Sequence, residues 1–337
     1  MSPISNTSSP AVPPNEEFTV GWICMKPLES VAAREAFDES YGKTPQTPAH
    51  PSDQNSYNLG RIGRNNIVIA VHPTNSPCPA TAAQISADIK TTFPSIQVGV
   101  MVTTGSGIPS SKHDIRLGDV IVGTPDRTFK GIVGVRQSSV AAEGILERFA
   151  TPGADEYSRL LVTAANALKA DRLNKVESKI PAILAGMFHW FPGKREAHSY
   201  QGSSHDKLFA ADYAHQLEGD EHCLHCDAEK NLVSRAVRND TSPVVHYGTI
   251  ASTDRPVTDT GVRDLVEARF GAKGVQVGAA GLINAFPTLV ICGVGDYADT
   301  HSNDHWSRYA AAVAAAYTKE LLLTITRLHS GRPESQR

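Results

Sequence analysis

Two carboxylates carry the first chemical signal. Asp296 closes the apolar run Thr288-Leu-Val-Ile-Cys-Gly-Val294, one glycine later, within the stretch Thr288 to Asp299. Such a run predicts a buried strand, so the acid is delivered at a strand's carboxyl end, where open α/β sheets bind ligands. There it is a candidate acid or base, and a capping or turn role fits the local pattern equally well. Glu29 lies in the first turn of a helix that begins at Pro27 and runs through Leu28, Val31, Ala32 and Phe37. A glutamate at that position either complements the helix dipole or serves catalysis.

Further along, Thr103-Thr-Gly-Ser-Gly107 is predicted as a polar loop closing an apolar strand. His222-Cys223-Leu-His225-Cys226 has residue types and spacing that can ligate zinc. With a single Cys-x-x-Cys and no second pair at finger-like distance, the expectation is that no metal is bound. Asp299, His301, Asp304 and His305 read as a polar rim and as the start signal of a helix near Trp306.

The elements that must position these groups are predicted from hydrophobic period. Phe18 to Cys24 is a first buried strand, residues 40–56 are a loop, Tyr57 to Gly63 and Asn66 to Val71 form a hairpin, and a helix runs from Ala80 to Phe93. Ile96 to Val102, Asp119 to Gly123 and Gly131 to Val135 are strands, and Glu156 to Ala170 is an amphipathic helix. Val244 to Ala251 is one strand, Gly261 to Phe270 a helix, Gly274 to Val277 a strand before an Ala-Ala-Gly helix, and Ser307 to Leu328 the closing helix. Alternation of strands and helices predicts one three-layer α/β sandwich with a mixed, largely parallel central sheet. The expected layout is a disordered leader over residues 1–17, one domain over 18–328 with a surface insertion at about 191–241, and a flexible tail over 329–337.

With 337 residues, 40% of them apolar, the chain can bury a large core. A formal charge of −3, with acids and bases interspersed, offers neither a nucleic-acid face nor a polybasic membrane signal. The opening Pro- and Ser-rich segment lacks a signal-peptide core, so a cytoplasmic location is expected. Five scattered cysteines fit a reducing compartment. No G-x-G-x-x-G joins the first strand to its helix, which disfavours a dinucleotide-binding dehydrogenase, and Gly105-Ser-Gly107 falls short of a hydrolase elbow.

In order and wording, several stretches resemble the nucleoside phosphorylase and nucleosidase superfamily. They are Thr19 to Cys24 with Pro27-Leu-Glu29, Leu59 to Gly63, Asp114 to Asp119, Asp206 to Phe209 with Ala211 to His215, His246 to Ser252, Ala279 to Leu282 and Gly295 to Asp299. The likeness spans roughly residues 18 to 325 and is nearest to fungal phosphorylase-like domains that precede immune-receptor-type ATPase modules. Since no such module follows, the domain is expected to stand alone. The resemblance implies cleavage of a purine N-glycosidic bond, with Asp296 protonating the departing base and Glu29 activating water. It implies a small-molecule substrate, phosphate as a candidate co-substrate held by Thr104, Gly105, Ser106 and Gly107, no cofactor, and a homo-oligomer.

The ligand-facing segments depart from that pattern. Where the family carries Glu-Met-Glu, with its second glutamate on the ribose hydroxyls, this chain has Gln276-Val277-Gly278. Losing a charged acceptor in a buried site is worth ~1.5 to 3 kcal/mol. After Ser252 the chain reads Thr253-Asp254-Arg255-Pro256 rather than Gly-Asn-Gln-Val, and Thr103-Thr104 is altered as well. Lys26 replaces an apolar residue, giving either a solvated side chain or an anion contact near Glu29. The expected function is therefore a nucleosidase-fold enzyme. The alternatives are a pocket repurposed for a non-nucleoside such as a secondary-metabolite intermediate, or a catalytically dead sensing or interaction domain.

Overall fold

The computed structural model describes residues 12–42, 51–72, 77–126, 128–129, 131–137, 146–149, 159–189, 192–217, 223–284 and 287–330. In chain order the strands are β1 (Val20–Cys24), β2 (Glu39–Gly42), β3 (Ser56–Ile62), β4 (Asn65–Val71), β5 (Val98–Gly107), β6 (Val120–Gly123), β7 (Ile132–Gln137), β8 (Leu146–Phe149), β9 (Val245–Gly248), β10 (Ile250–Thr253), β11 (Gly274–Val277) and β12 (Thr288–Asp296). The α-helices are α1 (Pro27–Glu35), α2 (Pro79–Thr92), α3 (Arg159–Leu173), α4 (Ile180–Gly186), α5 (Pro192–Ala197), α6 (Ala228–Asn231), α7 (Thr260–Phe270) and α8 (Ser307–Ser330). All twelve strands join one mixed sheet, so the expected α/β sandwich is the observed architecture.

The centre of that sheet is β5. It pairs in parallel with β1 and β12, and its last two residues pair antiparallel with β11. These central strands are apolar on both faces because both faces are covered. One face packs under α1, α3, α4 and the Ala-rich α8, around Trp22, Ile291, Tyr317 and Leu321. The other packs under α2 and the 3-10 turn Ala279–Asn284, around Ile23, Met101, Ile85 and Val290. Gly293 shows how close the layers come: a Cβ there would sit 2.1 Å from the Ala310 carbonyl oxygen of α8.

Several expectations are corrected. Part of the predicted 40–56 loop is strand β2, whose Glu39 and Ser40 register with Arg61 and Gly60 of β3. The predicted single strand from Val244 to Ala251 divides into β9 and β10, because Gly248 takes φ +156 and the two halves pair with different partners, β6 and β7. Of the predicted leader, residues 1–11 lie outside the described residues. Asn15–Glu17 form a 3-10 turn, and the Asn15 amide donates to Thr92 O at 3.0 Å, so the end of that segment belongs to the domain. The tail from 331 onward is likewise outside the described residues, while α8 reaches Ser330. Among the described residues no helix is long and apolar enough to cross a membrane.

Candidate active site

Three parallel strands, β1, β5 and β12, bring their carboxyl ends to one edge, and the chemistry-bearing side chains gather there. From β1 the chain passes through Met25 and Lys26 into α1. Glu29, at the third helical position, folds back as half of a capping box. Its Oε2 accepts from the Met25 and Lys26 amides at 2.8 and 2.9 Å. Its Oε1 accepts from the Thr103 hydroxyl and the Thr104 amide, both at 2.9 Å, and from the Thr104 hydroxyl at 3.3 Å. Only 3% of Glu29 is exposed. A carboxylate offers about four lone-pair sites, so five donors saturate it. The longest of these contacts, from Thr104 Oγ1, is the one an incoming water displaces most easily. The Lys26 ammonium points into the same cluster and donates to Thr104 Oγ1 at 3.3 Å.

The glycine-rich segment predicted as a loop is instead the end of β5. Gly105 pairs with Val294, Ser106 with both Asp296 and Val275, and Gly107 with Gly274. Ser106 alone is registered with a strand on each side; Thr104 and Gly105 register with β12 only, and the Thr104 amide donates to Glu29, so the segment is strand rather than loop. What Gly105 provides is close approach: a Cβ there would meet the Val275 carbonyl oxygen at 2.5 Å and Cys292 Sγ at 2.8 Å. Gly107 abuts Ile115 and Val294, away from the carboxylates.

Asp296 stands at the end of β12, where the register slips by one residue between Val294 and Asp296. Such a bulge re-aims a side chain; here it sets Asp296 against Ser106. Asp296 is partly exposed and accepts from the Ala298 amide at 2.9 Å. Its pKa is raised, chiefly by desolvation; the Ser106 hydroxyl and the Ala298 amide pull it down, Asp299 pushes it up and Lys26 pulls it down. The thiol of Cys292, buried between the carboxylates, is pushed up by burial and then by the charges of Glu29 and Asp296. The arrangement offers one carboxyl whose proton affinity is raised and a second that accepts five hydrogen bonds.

The third wall is β11. Gln276 is 2% exposed, its Cβ lies 3.1 Å from where a Gly105 Cβ would stand, and neither atom of its amide has a hydrogen-bond partner. A buried amide left without partners asks for a ligand or water to satisfy it. Gly278 follows with φ +103, and a Cβ there would approach Cys78 O and Met25 Cε at 3.3 Å. The position that carries a ribose-binding glutamate in the resembling family thus has a backbone that L side chains avoid. Val277, between them, is half-buried.

Not every predicted contact converges. Ser252 is fully buried, and its hydroxyl accepts from the Ala280 amide at 2.9 Å, anchoring the 3-10 turn. Thr253 is buried and donates to Gln276 O at 3.4 Å, while Asp254 is exposed to solvent. Thr103 was not singled out as a site residue, although its hydroxyl holds Glu29; the alternation of β5 could have revealed it had the strand been extended past Val102. The pocket reaching Asp296 is walled by Leu117, Lys207, Phe209, Cys223 and His301, so the insertion, rather than Glu29, forms its outer side. Asp206 of the insertion accepts from Tyr297 Oη and pairs with Arg235 at 3.0 Å, fixing the segment to the end of β12.

No protein-family model matches the chain. It is 35% identical over 319 residues to a nucleotide-binding leucine-rich repeat (NLR)-like protein of Hyaloscypha variabilis, a match covering 92% of this chain and 30% of that protein. The chain therefore spans less than a third of the length of that curated relative. Among solved structures it is similar to the 5'-methylthioadenosine/S-adenosylhomocysteine nucleosidase of Neisseria meningitidis in complex with methylthio-immucillin-A, with a TM-score of 0.52, 18% identity, and 90% and 98% of the two chains covered. Futalosine hydrolase of Helicobacter pylori follows at a TM-score of 0.51, 13% identity and 91% and 97% coverage. The methylthioadenosine/S-adenosylhomocysteine nucleosidase of the same organism, with butyl-thio-DADMe-Immucillin-A, gives 0.52, 12% and 90% and 97%. At these identities the likeness is one of fold, and the fold this chain adopts is that of the nucleoside phosphorylases and nucleosidases.

Proposed function

We propose that the chain is a nucleosidase-type hydrolase in which Asp296 protonates the leaving group of an N-glycosidic bond. The observation that carries this reading is the state of Asp296. It is partly exposed at a strand end, and burial raises its proton affinity above the ordinary carboxylate value, the direction a general acid needs. Glu29 takes the water when Thr104 Oγ1 moves aside, and Lys26 supplies a cation beside both carboxylates. The unpartnered amide of Gln276 is the group that engages the sugar-side polar atoms of the ligand, in place of the missing glutamate at Gly278. The Thr104 amide is already engaged by Glu29 and the segment is strand, which favours hydrolysis over phosphorolysis in this reading. A homo-oligomer fits this reading, and the substrate is a purine nucleoside or a small molecule of similar shape.

A second reading, a ligand sensor without turnover, is supported by the saturation of Glu29 with five donors and by the similarity to part of an NLR-like protein. One experiment separates the two. Folded protein is incubated with adenosine, methylthioadenosine, inosine and ATP, with and without phosphate, and free base is followed by chromatography. Release that does not depend on phosphate, reduced at least ~100-fold in Asp296→Asn, supports hydrolysis; binding of any of the four without base release supports the sensor. Neither binding nor release sinks the nucleoside reading altogether.

A further inference from the structure

A cluster outside the carboxylate site has the composition and geometry of a metal centre. His215, Cys226 and His301 each direct a ligand atom into one small volume, the three atoms lying within 4.8 Å of one another. Cys223 lies beside this group rather than within its 4.8 Å span: its Sγ is 3.7 Å from His215 Nδ1, and Cys226 Sγ is 3.3 Å from the same nitrogen. In a tetrahedral zinc site, Zn–S of about 2.3 Å and Zn–N of about 2.0 to 2.1 Å place neighbouring sulfur and nitrogen ligands about 3.5 Å apart. The two measured separations straddle that value.

The surroundings point the same way. His301 is 8% exposed, and neither ring nitrogen has a hydrogen-bond partner, an expensive condition in a core unless another ligand meets it. Its ring is stacked on Phe209 and Tyr213, at centroid distances of 4.0 and 5.7 Å, so its direction is fixed. Asp299 Oδ1 lies 3.7 Å from His301 Nδ1, beyond hydrogen-bond reach, and accepts from the His301 amide at 2.9 Å, which ties that carboxylate to the same turn. Both cysteines are buried, and the backbone at Cys223 takes φ +53, a left-handed conformation uncommon for a side-chain-bearing residue. Two thiolates balance the charge of a divalent ion, so burying the whole set carries no net charge into the protein interior.

We infer that Cys223, Cys226, His215 and His301 form a structural zinc site that staples the insertion to the segment following β12. The insertion needs such a device. Its described helices are α5 and α6, of six and four residues, and its own core is Phe209 with the two cysteines. Segments that cannot bury enough apolar surface commonly gain their order from a metal. His215 comes from the middle of the insertion, the cysteine pair from eight and eleven residues further on and His301 from beyond β12, so one ion fastens the insertion to the segment after β12.

The test uses the full chain, purified without a polyhistidine tag or chelator and assayed by elemental analysis and by mass spectrometry of alkylated peptides. About one zinc per chain is expected, with Cys223 and Cys226 protected from iodoacetamide until a chelator is added. Cys226→Ser and His301→Ala should each retain less than about a tenth of the zinc, and Cys78→Ser should retain it all. Because the ligand variants could unfold, the alkylation experiment on the unmodified chain stands by itself. Thiols that react equally fast with and without chelator, a Cys223–Cys226 disulfide, a metal other than zinc, or full zinc in His301→Ala would overturn the assignment.

Discussion

Removing the Glu29 carboxylate perturbs the site most directly, and the cost can be worked from its contacts. In Glu29→Ala three backbone amides, of Met25, Lys26 and Thr104, lose their acceptor at once. The Thr103 hydroxyl has a fallback in Thr104 O at 3.2 Å, and the Thr104 hydroxyl can turn toward solvent entering the space. Each stranded buried amide costs about 1 kcal/mol even when water partly reaches it, so the total is about 3 kcal/mol. For a chain of 337 residues that lowers Tm by about 4 °C. Glu29→Gln separates charge from shape. Its amide oxygen can keep the Met25 and Lys26 amides, its NH2 can face threonine hydroxyls that rotate to accept, and only the Thr104 amide is stranded, for about 1 kcal/mol. Urea unfolding of the three proteins reads these differences without reference to any substrate. If Glu29→Ala unfolds within about 1 kcal/mol of the unmodified chain, or if the two variants coincide, the reasoning that Glu29 knots β1, α1 and β5 together is wrong.

Two further outcomes are expected. Burial raises the pKa of Asp296, so the contribution of this group to stability is fully present below its unfolded pKa of about 3.9 and is lost as pH rises through the folded value. Asp296→Asn, which has no charge to bury, should therefore raise Tm relative to the unmodified chain at pH 7 and bring little gain at pH 4, as scanning calorimetry at the two pH values will show; equal gains would exclude the desolvation account. Gly278→Ala should destabilise by about 1 to 2 kcal/mol, because φ +103 is unfavourable for any side chain. For the same reason Gly278→Glu should lose stability without restoring a ribose contact, a result checked by urea unfolding and by titration with adenosine.

The sandwich was legible in the sequence because its strands are continuous apolar runs that need no partner to be recognised. β1 and β12 are buried along almost their whole length and β4 through its middle, and an uninterrupted apolar run between turn signals has few other readings. Asp296 and Glu29 were legible for a similar local reason: one follows a strand and the other follows Pro27. What failed was whatever depended on a distant neighbour. Thr103 to Gly107 has loop composition, yet it is strand because β11 and β12 flank it. The neighbours of the Cys223 and Cys226 pair are likewise not legible in the sequence, where no second pair stands near it. The imidazoles beside it come from His215, ahead of the pair, and from His301, beyond β12, a juxtaposition that only the folded chain makes.

The two halves of the candidate site differ in how they are held. On the side of Glu29, the groups are fixed by strand ladders and a capping box, contacts that belong to the sheet itself and change only if the fold changes. On the outer side of Asp296, the pocket wall belongs to the insertion, held at the end of β12 by Tyr297, Asp206 and Arg235 and by the His215 amide, which donates to Thr300 Oγ1. Asp296 is the residue both halves share. Altering the insertion can therefore change what reaches Asp296 while leaving the carboxylate and the strand that carries it in place. A ligand pocket can diverge in this way around an unchanged acid.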